Sequence, residues 1–218
     1  RCKIMSFSFK ILALLCVCSQ FLFSQSKEIQ FLTGKDAEHT KEWDFWINSG
    51  RKSGSWSKIN VPSHWEQQGF GSYNYGRDYV TYGKNFKFND EVGLYKHHFS
   101  VPNSWKGKTI NIVFEGSMTD TEVKINGKSA GVIHQGAFYE FKYDISDKVQ
   151  FGKENILEVK VSKMSADKSV NNAERLADYW ILGGIFRPVH LEATSKEHIS
   201  STVIDAKADG TFRSNIHL

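Results

Sequence analysis

The sequence predicts an all-β protein, a two-sheet sandwich of jelly-roll type. Three observations support this: short runs of alternating apolar and polar residues follow one another from Trp56 onward, turn residues separate these runs, and helical periodicity is scarce. The chain has 218 residues, of which 40% are hydrophobic and 14% aromatic, with only three prolines. This composition suits one well-packed globular domain with room for part of a second.

The amino terminus differs from everything that follows it. Three basic residues precede an apolar run at residues 11–18, and a small polar exit follows at Ser24 and Gln25. This order is typical of a secretory signal peptide, and the apolar run is too short for a comfortable membrane span. We therefore assign residues 1–25 to a signal peptide and expect an exported protein, periplasmic or extracellular, with no membrane attachment after cleavage.

Cleavage at this position would change both the cysteine content and the charge. It would remove all three cysteines, Cys2, Cys16 and Cys18, so the exported protein would contain neither disulfides nor thiolate metal sites. The removed residues carry three basic and no acidic groups, so the formal net charge of +4 falls by three, to +1. A near-neutral surface argues against nucleic acid as a partner.

The strands are predicted from their own alternation. Ile110, Ile112 and Phe114 alternate with Thr109, Asn111 and Glu115, and Leu157, Val159 and Val161 alternate with Glu158, Lys160 and Ser162, so each run has one face for a core and one for water. Asn126 and Gly127 form the pair best able to adopt the two positive φ angles of a type I′ hairpin turn. Further strands are predicted at residues 93–101, 138–143 and 186–191.

The two ends of the sandwich are less regular. Residues 27–54 are mixed in character, and we expect Trp43, Phe45 and Trp46 to pack onto the sandwich ahead of a polar loop at residues 48–54.

Beyond residue 194 the apolar pattern stops, then resumes at residues 199–206 and 211–218 on either side of an Asp-Gly turn. Two such strands cannot bury a core alone. We therefore expect the jelly-roll domain to cover residues 26–195 and residues 196–218 to be the truncated start of a second β domain.

One segment combines an acid, large aromatic side chains and a Gly-Gly pair directly before an apolar strand. Paired glycines let the backbone bend or approach a neighbour where a Cβ would clash. Asp178 close to Trp180 gives a polar tip beside a flat apolar face, a combination with which proteins commonly bind sugars. The alternative interpretation is a bend with an aromatic plug.

A second segment, residues 69–79, is polar yet rich in aromatic rings, which is the composition of a loop that contacts a ligand. Asn74 could exchange hydrogen bonds with sugar hydroxyls while Tyr73 supplies a flat face. The alternative is that the rings pin a long loop onto the sandwich.

No catalytic constellation stands out in the sequence. Hydrolysis of a glycosidic bond needs two carboxylates on opposite sides of the scissile bond. The acids of the predicted strands occupy positions where a solvated face or a turn cap is the ordinary role: Glu115, Asp120, Glu122, Glu140 and Asp144. A Gly-x-Ser-x-Gly elbow is absent from the sequence, and the neighbours His97 and His98 point to opposite faces of a strand, so they cannot share one metal.

A series of short motifs runs along the chain in a fixed order: VPSHW (61–65), GLY (93–95), FSVP (99–102), WKGK (105–108), FEGS (114–117), VKINGK (123–128), FKYDI (141–145), GKEN (152–155) and GGIFRPV (183–189). Together they resemble the amino-terminal sugar-binding domain of glycoside hydrolase family 2, the family of β-galactosidases and β-glucuronidases. The resemblance implies a galactose-binding-domain-like jelly roll, followed from Glu197 by the first strands of an immunoglobulin-like β-sandwich.

In that family the catalytic acid/base and nucleophile are glutamates on a TIM barrel carboxy-terminal to these two domains, and the mechanism is retaining. The resemblance therefore implies that this chain is the non-catalytic amino-terminal portion of a secreted β-galactosidase-like exo-glycosidase. It would contain no catalytic residue, be inactive alone, and belong to a full-length form that can assemble as a homo-oligomer.

The resemblance also implies which residues belong to the binding site. In β-galactosidases of the family, an Asn in a Tyr-rich loop and an Asp just before an aromatic-Trp pair reach the substrate pocket, and the Asp can ligate a monovalent cation. By motif these positions are Asn74 and Asp178, with Tyr73 and Trp180 beside them. The implied partner is a β-linked glycoside or polysaccharide fragment, and the implied cofactor is a sodium ion shared between Asp178 and the barrel. A free-standing carbohydrate-binding or adhesin module with the same sandwich is the alternative function.

Overall fold

The computed structural model describes residues 27–83, 85–88 and 90–218, so the predicted signal peptide lies outside the described residues. One compact unit spans Glu28–Lys196, and Glu197–Leu218 belong to another. Within the described part of the chain, no helix is long and apolar enough to cross a membrane.

The larger unit is built from antiparallel strands. In chain order these are β1 (Glu28–Phe31), β2 (Lys41–Ile47), β3 (Ser57–Val61), β4 (Asn74–Tyr75), β5 (Val92–Ser100), β6 (Thr109–Phe114), β7 (Asp120–Ile125), β8 (Lys128–Ser129), β9 (Phe141–Asp144), β10 (Glu154–Ser162), β11 (Trp180–Ile181) and β12 (Val189–Thr194). One sheet has the order β1-β12-β6-β9 and the other β3-β2-β5-β10-β7-β8, while β4 and β11 form a separate two-stranded ribbon.

The two large sheets enclose a single hydrophobic core. Phe45, Tyr95 and Val159 of the six-stranded sheet and Ile112 and Leu191 of the four-stranded sheet belong to one buried cluster. Because successive side chains of a strand point to opposite faces, the predicted alternation puts one residue in two into this core. The predicted all-β sandwich is confirmed.

Helical structure is short. Helix α1 (Asp78–Tyr82) buries none of its residues, a 3-10 turn covers Asn103–Trp105, and helix α2 spans Lys168–Glu174. Asp167 caps α2, since its carboxylate accepts a hydrogen bond from the Ser169 N–H at 2.7 Å.

The aromatic segment before residue 48 is a central strand rather than a covering. In β2, Trp43 and Phe45 are buried in the core as expected, but Trp46 lies half-buried on the opposite face. β2 pairs with both β3 and β5. The expectation for Trp43 and Phe45 is confirmed, whereas Trp46 faces away from the core because the strand period places it outward.

The predicted hairpin turn is confirmed. Asn126 and Gly127 adopt φ angles of 51° and 78° between β7 and β8, as a type I′ turn requires. The Asn126 amide also donates to Asn155 Oδ1 at 2.8 Å and to Lys148 O at 2.9 Å, and its oxygen accepts from Ile156 N at 2.9 Å.

Two predicted strands begin three residues later than expected. β9 starts at Phe141, because Phe138 and Tyr139 are exposed and lie before the ladder with β6. β12 starts at Val189, directly after Pro188, which has no N–H to donate to a sheet.

The carboxy-terminal unit, described by itself, is one hairpin. β13 (Ser201–Ala206) pairs antiparallel with β14 (Phe212–His217), and Gly210 takes a φ of 88° in the turn between them. All residues of both strands are exposed. The predicted strand pair is confirmed, while the assignment of the segment to an immunoglobulin-like domain stays a prediction.

Candidate functional site

The two segments with ligand-site composition meet in the structure. β4 and β11 pair antiparallel, with Trp180 opposite Tyr75 and Ile181 opposite Asn74. The Gly76 N–H extends the pairing by donating to Tyr179 O at 2.9 Å. We call β4 and β11 together the site ribbon.

The site ribbon presents an aromatic surface. Trp180 is 57% exposed, and the rings of Tyr73 and Tyr75 meet it edge-on at centroid distances of 5.8 Å and 5.5 Å. Tyr73 is itself 48% exposed, and the Arg51 guanidinium lies 5.3 Å from its ring centroid. Flat exposed rings of this kind can pack against the apolar face of a sugar.

Asp178 adds a carboxylate beside this surface. The side chain is exposed, and the Tyr75 hydroxyl donates a hydrogen bond to its Oδ1. This contact links the carboxylate to the Tyr75 ring, which itself meets Trp180 edge-on, and Oδ2 can accept from a ligand hydroxyl or bind a cation.

Asn74 lies beneath the surface rather than on it. The residue is 6% exposed, and its Oδ1 is 3.4 Å from the Lys163 Nζ. The structure therefore brings Tyr73, Asp178 and Trp180 to one exposed face and places the Asn74 amide under that face.

A group of buried charges supports the site ribbon, and the sequence analysis did not identify it. The Lys163 Nζ lies 2.8 Å from Glu66 Oε1 and 2.9 Å from Glu91 Oε2, and all three side chains are fully buried. The same ammonium donates to Ser72 O. We call Glu66, Glu91 and Lys163 the buried ion cluster.

The cluster reaches the second strand of the ribbon through Glu66. Its Oε2 accepts a hydrogen bond from the Gly183 N–H at 3.0 Å, two residues beyond β11. Burial raises the pKa of Glu66, while Lys163 and the Gly183 N–H act in the opposite direction.

Arg175 is a further buried cation near the ribbon. It follows α2, is fully buried, and its Nη2 donates to Leu182 O. Burial lowers the pKa of Arg175, opposed by the nearby Tyr179, Glu66 and Glu174 side chains.

The Gly-Gly pair is a bend at which the chain passes a core tryptophan. A Cβ on Gly183 would lie 2.1 Å from Trp65 Cζ2, and Gly184 adopts a φ of 113°. The Trp65 N–H donates to Gly183 O at 3.1 Å. The bend needs glycine at both positions, as the sequence indicated, for close approach at the first and for a positive φ at the second.

One expectation about the acids is wrong. Asp120 is 8% exposed rather than solvated, and its Oδ2 accepts hydrogen bonds from Ala166 N at 2.8 Å and Gln135 Nε2 at 3.1 Å. It begins β7, where loop backbone covers the strand end, and its hydrogen bonds hold these loops to the sheet.

The donor set for a cation is incomplete. Over residues 27–83, 85–88 and 90–218, no group of three or more His, Cys, Asp or Glu side chains could hold a metal ion. Asp178 is a single carboxylate donor, so these residues do not fit a complete cation site by themselves.

Comparison with known proteins agrees with this architecture. The family model described as "Glycosyl hydrolases family 2, sugar binding domain" matches residues 28–195. A β-galactosidase from Priestia megaterium is 30% identical over 166 residues, 72% of this chain and 15% of the relative. A "Putative beta-glucuronidase" from Formosa agariphila is 30% identical over 158 residues, 72% of this chain and 17% of the relative. The chain thus spans only 15% and 17% of the length of these two curated relatives.

Solved structures share the fold. A β-glucuronidase from an uncultured Clostridium sp. superimposes with a TM-score of 0.63 at 22% sequence identity, covering 90% of this chain and 34% of that chain. The match supports the β-sandwich, and the family model covers most of the larger unit. The chain belongs to glycoside hydrolase family 2 and carries the sugar-binding domain of that family.

Proposed function

We propose that this chain forms the non-catalytic sugar-binding portion of a larger, retaining β-galactosidase-like glycosidase, and that the site ribbon lies at the rim of its active site. One observation carries the proposal: the pairing of β4 with β11 puts Tyr73, Asp178 and Trp180 on one exposed face. The relatives named β-galactosidase and β-glucuronidase support β-linked glycosides as the substrate class.

Each residue of this face has a distinct role in the proposal. The Trp180 ring packs against the apolar face of a sugar, with Tyr73 extending the surface. Asp178 accepts a hydrogen bond from a sugar hydroxyl, and the Tyr75 hydroxyl keeps the carboxylate in place. Asn74 supports the ribbon from beneath, through its contact with Lys163.

The catalytic chemistry is proposed to lie outside this chain. A retaining glycosidase uses two carboxyl groups about 5 Å apart, and we assign both to the catalytic domain of the larger enzyme. Asp178 would contribute one ligand to a sodium ion whose other ligands come from that domain. We derive no step through this ion, because the donor set of this chain is incomplete.

The proposal also includes export of the enzyme from the cytoplasm. Removal of residues 1–25 would place the enzyme in the periplasm or medium, where polysaccharide fragments are available. Mass spectrometry of protein from the native envelope or medium is expected to find an amino terminus near residues 24–27. An uncleaved amino terminus on cytoplasmic protein would refute export.

The decisive test of the sugar-binding role is Asp178→Asn in the enzyme that carries this chain. The change keeps size and removes charge, so loss of a charged substrate contact costs about 1.5 to 3 kcal/mol, or about tenfold or more in kcat/KM. The matched control is Asp147→Asn, because Asp147 is an exposed acid that pairs with its neighbour Lys148; this variant is expected to retain full activity.

Three outcomes would contradict the proposal. Parental kcat/KM in Asp178→Asn would remove Asp178 from the site. A large fall in Tm with unchanged activity per folded molecule would mean that Asp178 stabilises the bend instead. Tight binding of a glycan by a polypeptide that contains this domain and no catalytic domain would favour the free-standing module.

A further inference from the structure

We infer that Glu66 is a positioning residue that sets the two strands of the site ribbon relative to each other. The inference rests on the proposed sugar-binding function of the ribbon, and it deepens that proposal by naming a residue that controls the geometry without touching the sugar.

The ribbon needs support from outside itself. Each of its strands contains two residues, and even a longer isolated two-stranded hairpin is only marginally stable in water. Neither strand belongs to either large sheet. The relative position of Tyr73 and Trp180 is therefore decided by what holds each strand to the sandwich.

Glu66 holds both strands with one carboxylate. On one side, its Oε1 lies 2.8 Å from the Lys163 Nζ, and Lys163 donates to Ser72 O and lies 3.4 Å from Asn74 Oδ1, next to and within β4. On the other side, its Oε2 accepts from the Gly183 N–H at 3.0 Å, just beyond β11.

The burial of this connection makes it rigid. The Lys163 ammonium forms ion pairs with Glu66 at 2.8 Å and Glu91 at 2.9 Å, and it also donates to Ser72 O. Ion pairs and charged hydrogen bonds between buried groups are directional and costly to leave unmade. Lys163 and Glu66 therefore have one favourable arrangement, and the ribbon takes its geometry from it.

The chain offers a matched pair of variants, Glu66→Gln and Glu91→Gln. Both remove one buried charge at nearly constant volume, and both leave Lys163 paired with one carboxylate. In Glu66→Gln, the Lys163 ammonium and the Gly183 N–H face an amide with a single oxygen, so either the ion pair with Lys163 or the hydrogen bond from Gly183 is lost. In Glu91→Gln, the amide oxygen can take the Oε2 position facing Lys163, because Glu91 Oε1 has no hydrogen-bond partner among the described residues.

Hydrogen exchange tests the positioning without any substrate. The Gly76 amide, which donates to Tyr179 O, reports on the ribbon, and the Val159 amide, between β5 and β7, reports on the sandwich. Glu66→Gln is expected to speed exchange at Gly76 about tenfold more than at Val159. Glu91→Gln should change both amides by similar factors. Equal behaviour of the two variants would overturn the inference.

Enzyme kinetics test the consequence for sugar binding. With a nitrophenyl β-galactoside, Glu66→Gln is expected to raise KM about fivefold while kcat per folded molecule changes less than about twofold, and Glu91→Gln should leave KM within about twofold of the parent. If Glu66→Gln does not fold, Glu66→Asp and Glu91→Asp replace the pair. The shortened carboxylate at position 66 retains its charge but cannot span both links, so the same contrast is expected.

Asp178→Asn separates this inference from the proposed function. Parental KM in Glu66→Gln alongside reduced kcat/KM in Asp178→Asn would overturn the inference and leave the proposed function standing. Parental kinetics in both variants would overturn the proposed function and the inference with it.

Discussion

Replacing Gly183 with Ala would drive a methyl group into a core tryptophan. An ideal Cβ on Gly183 lies 2.1 Å from Trp65 Cζ2 and 2.4 Å from Cε2, whereas carbon atoms in contact are about 3.5 to 4 Å apart. The indole ring cannot move away from the methyl group, because Gly93 lies close to the ring atom Cζ3. A Cβ on Gly93 would be 2.8 Å from Cζ3. Trp65 is fully buried and packs against Phe45.

The expected destabilisation follows from this crowding. Overpacking a core typically costs about 1 to 3 kcal/mol, and a ring confined on both sides puts Gly183→Ala at about 3 kcal/mol. For a unit of this size, such a loss lowers Tm by about 6 to 12 °C. Thermal and urea unfolding of the parent and variant measure both quantities.

A double-mutant cycle with Trp65→Phe tests the cause. Phe lacks the fused ring atoms that meet the new methyl group, so Gly183→Ala should cost less in the Trp65→Phe background than in the parent. A cost for Gly183→Ala within about 0.5 kcal/mol of zero, or strict additivity of the two substitutions, would refute the explanation.

Three further predictions follow from other parts of the chain. His97 stacks on Trp43 at 4.6 Å, and burial lowers the pKa of His97 from 6.5 to about 4. Protonation of His97 therefore opposes folding. The stability that the neutral ring contributes is complete above pH 6.5 and is lost as the pH falls towards 4, by about 1 to 2 kcal/mol for a partly exposed ring. In His97→Gln, the free energy of unfolding measured in urea should vary less with pH between these values. An unchanged pH dependence would contradict this role of His97. Asn126→Ala removes three side-chain hydrogen bonds and puts Ala at positive φ, for a cost of about 2 to 4 kcal/mol; Asn126→Gly should cost less in thermal unfolding, and equal costs would show that the turn conformation is not strained. The isolated chain should not hydrolyse nitrophenyl glycosides, and turnover abolished by mutating one of its own acids would disprove this.

The strands were predictable where one face is uniformly apolar. Ile110, Ile112 and Phe114 form one apolar face of β6, although Val113 on the other face is also buried, and residues 157–161 alternate without exception within β10. β2 was not predicted as a strand, although Trp43, Phe45 and Ile47 alternate inward. Trp46 on the outer face hides this period, since an apolar residue at a polar position makes the segment look like a covering rather than a strand.

The exposed residues of the candidate site stand out in the sequence because their combination is unusual for a core, and their role in binding stays a prediction. The paired glycines are needed for packing against Trp65, but an acid and exposed aromatic rings beside them are not, and this combination marks Asp178 and Trp180 without any knowledge of the fold. That Tyr73 lies beside Trp180 follows from the pairing of β4 with β11, which brings together segments far apart in the chain.

Only part of the buried ion cluster could have been predicted from the sequence. Lys163 continues the inward-facing series Leu157, Val159 and Val161 of β10, and Glu91 precedes the inward-facing Gly93 and Tyr95 of β5. Val161 pairs with Gly93, so the same register, continued by the Lys163 N–H donating to Glu91 O at 2.9 Å, places the two charges opposite each other. A lysine and a glutamate are usually exposed, which makes each look like a surface residue when considered alone.

Glu66 has no such periodic signal, because it follows β3 in a segment outside the strands. Its place between Lys163 and Gly183 depends on the path of the chain around Trp65. The residue that we propose to position the site ribbon is therefore one that only the folded structure reveals.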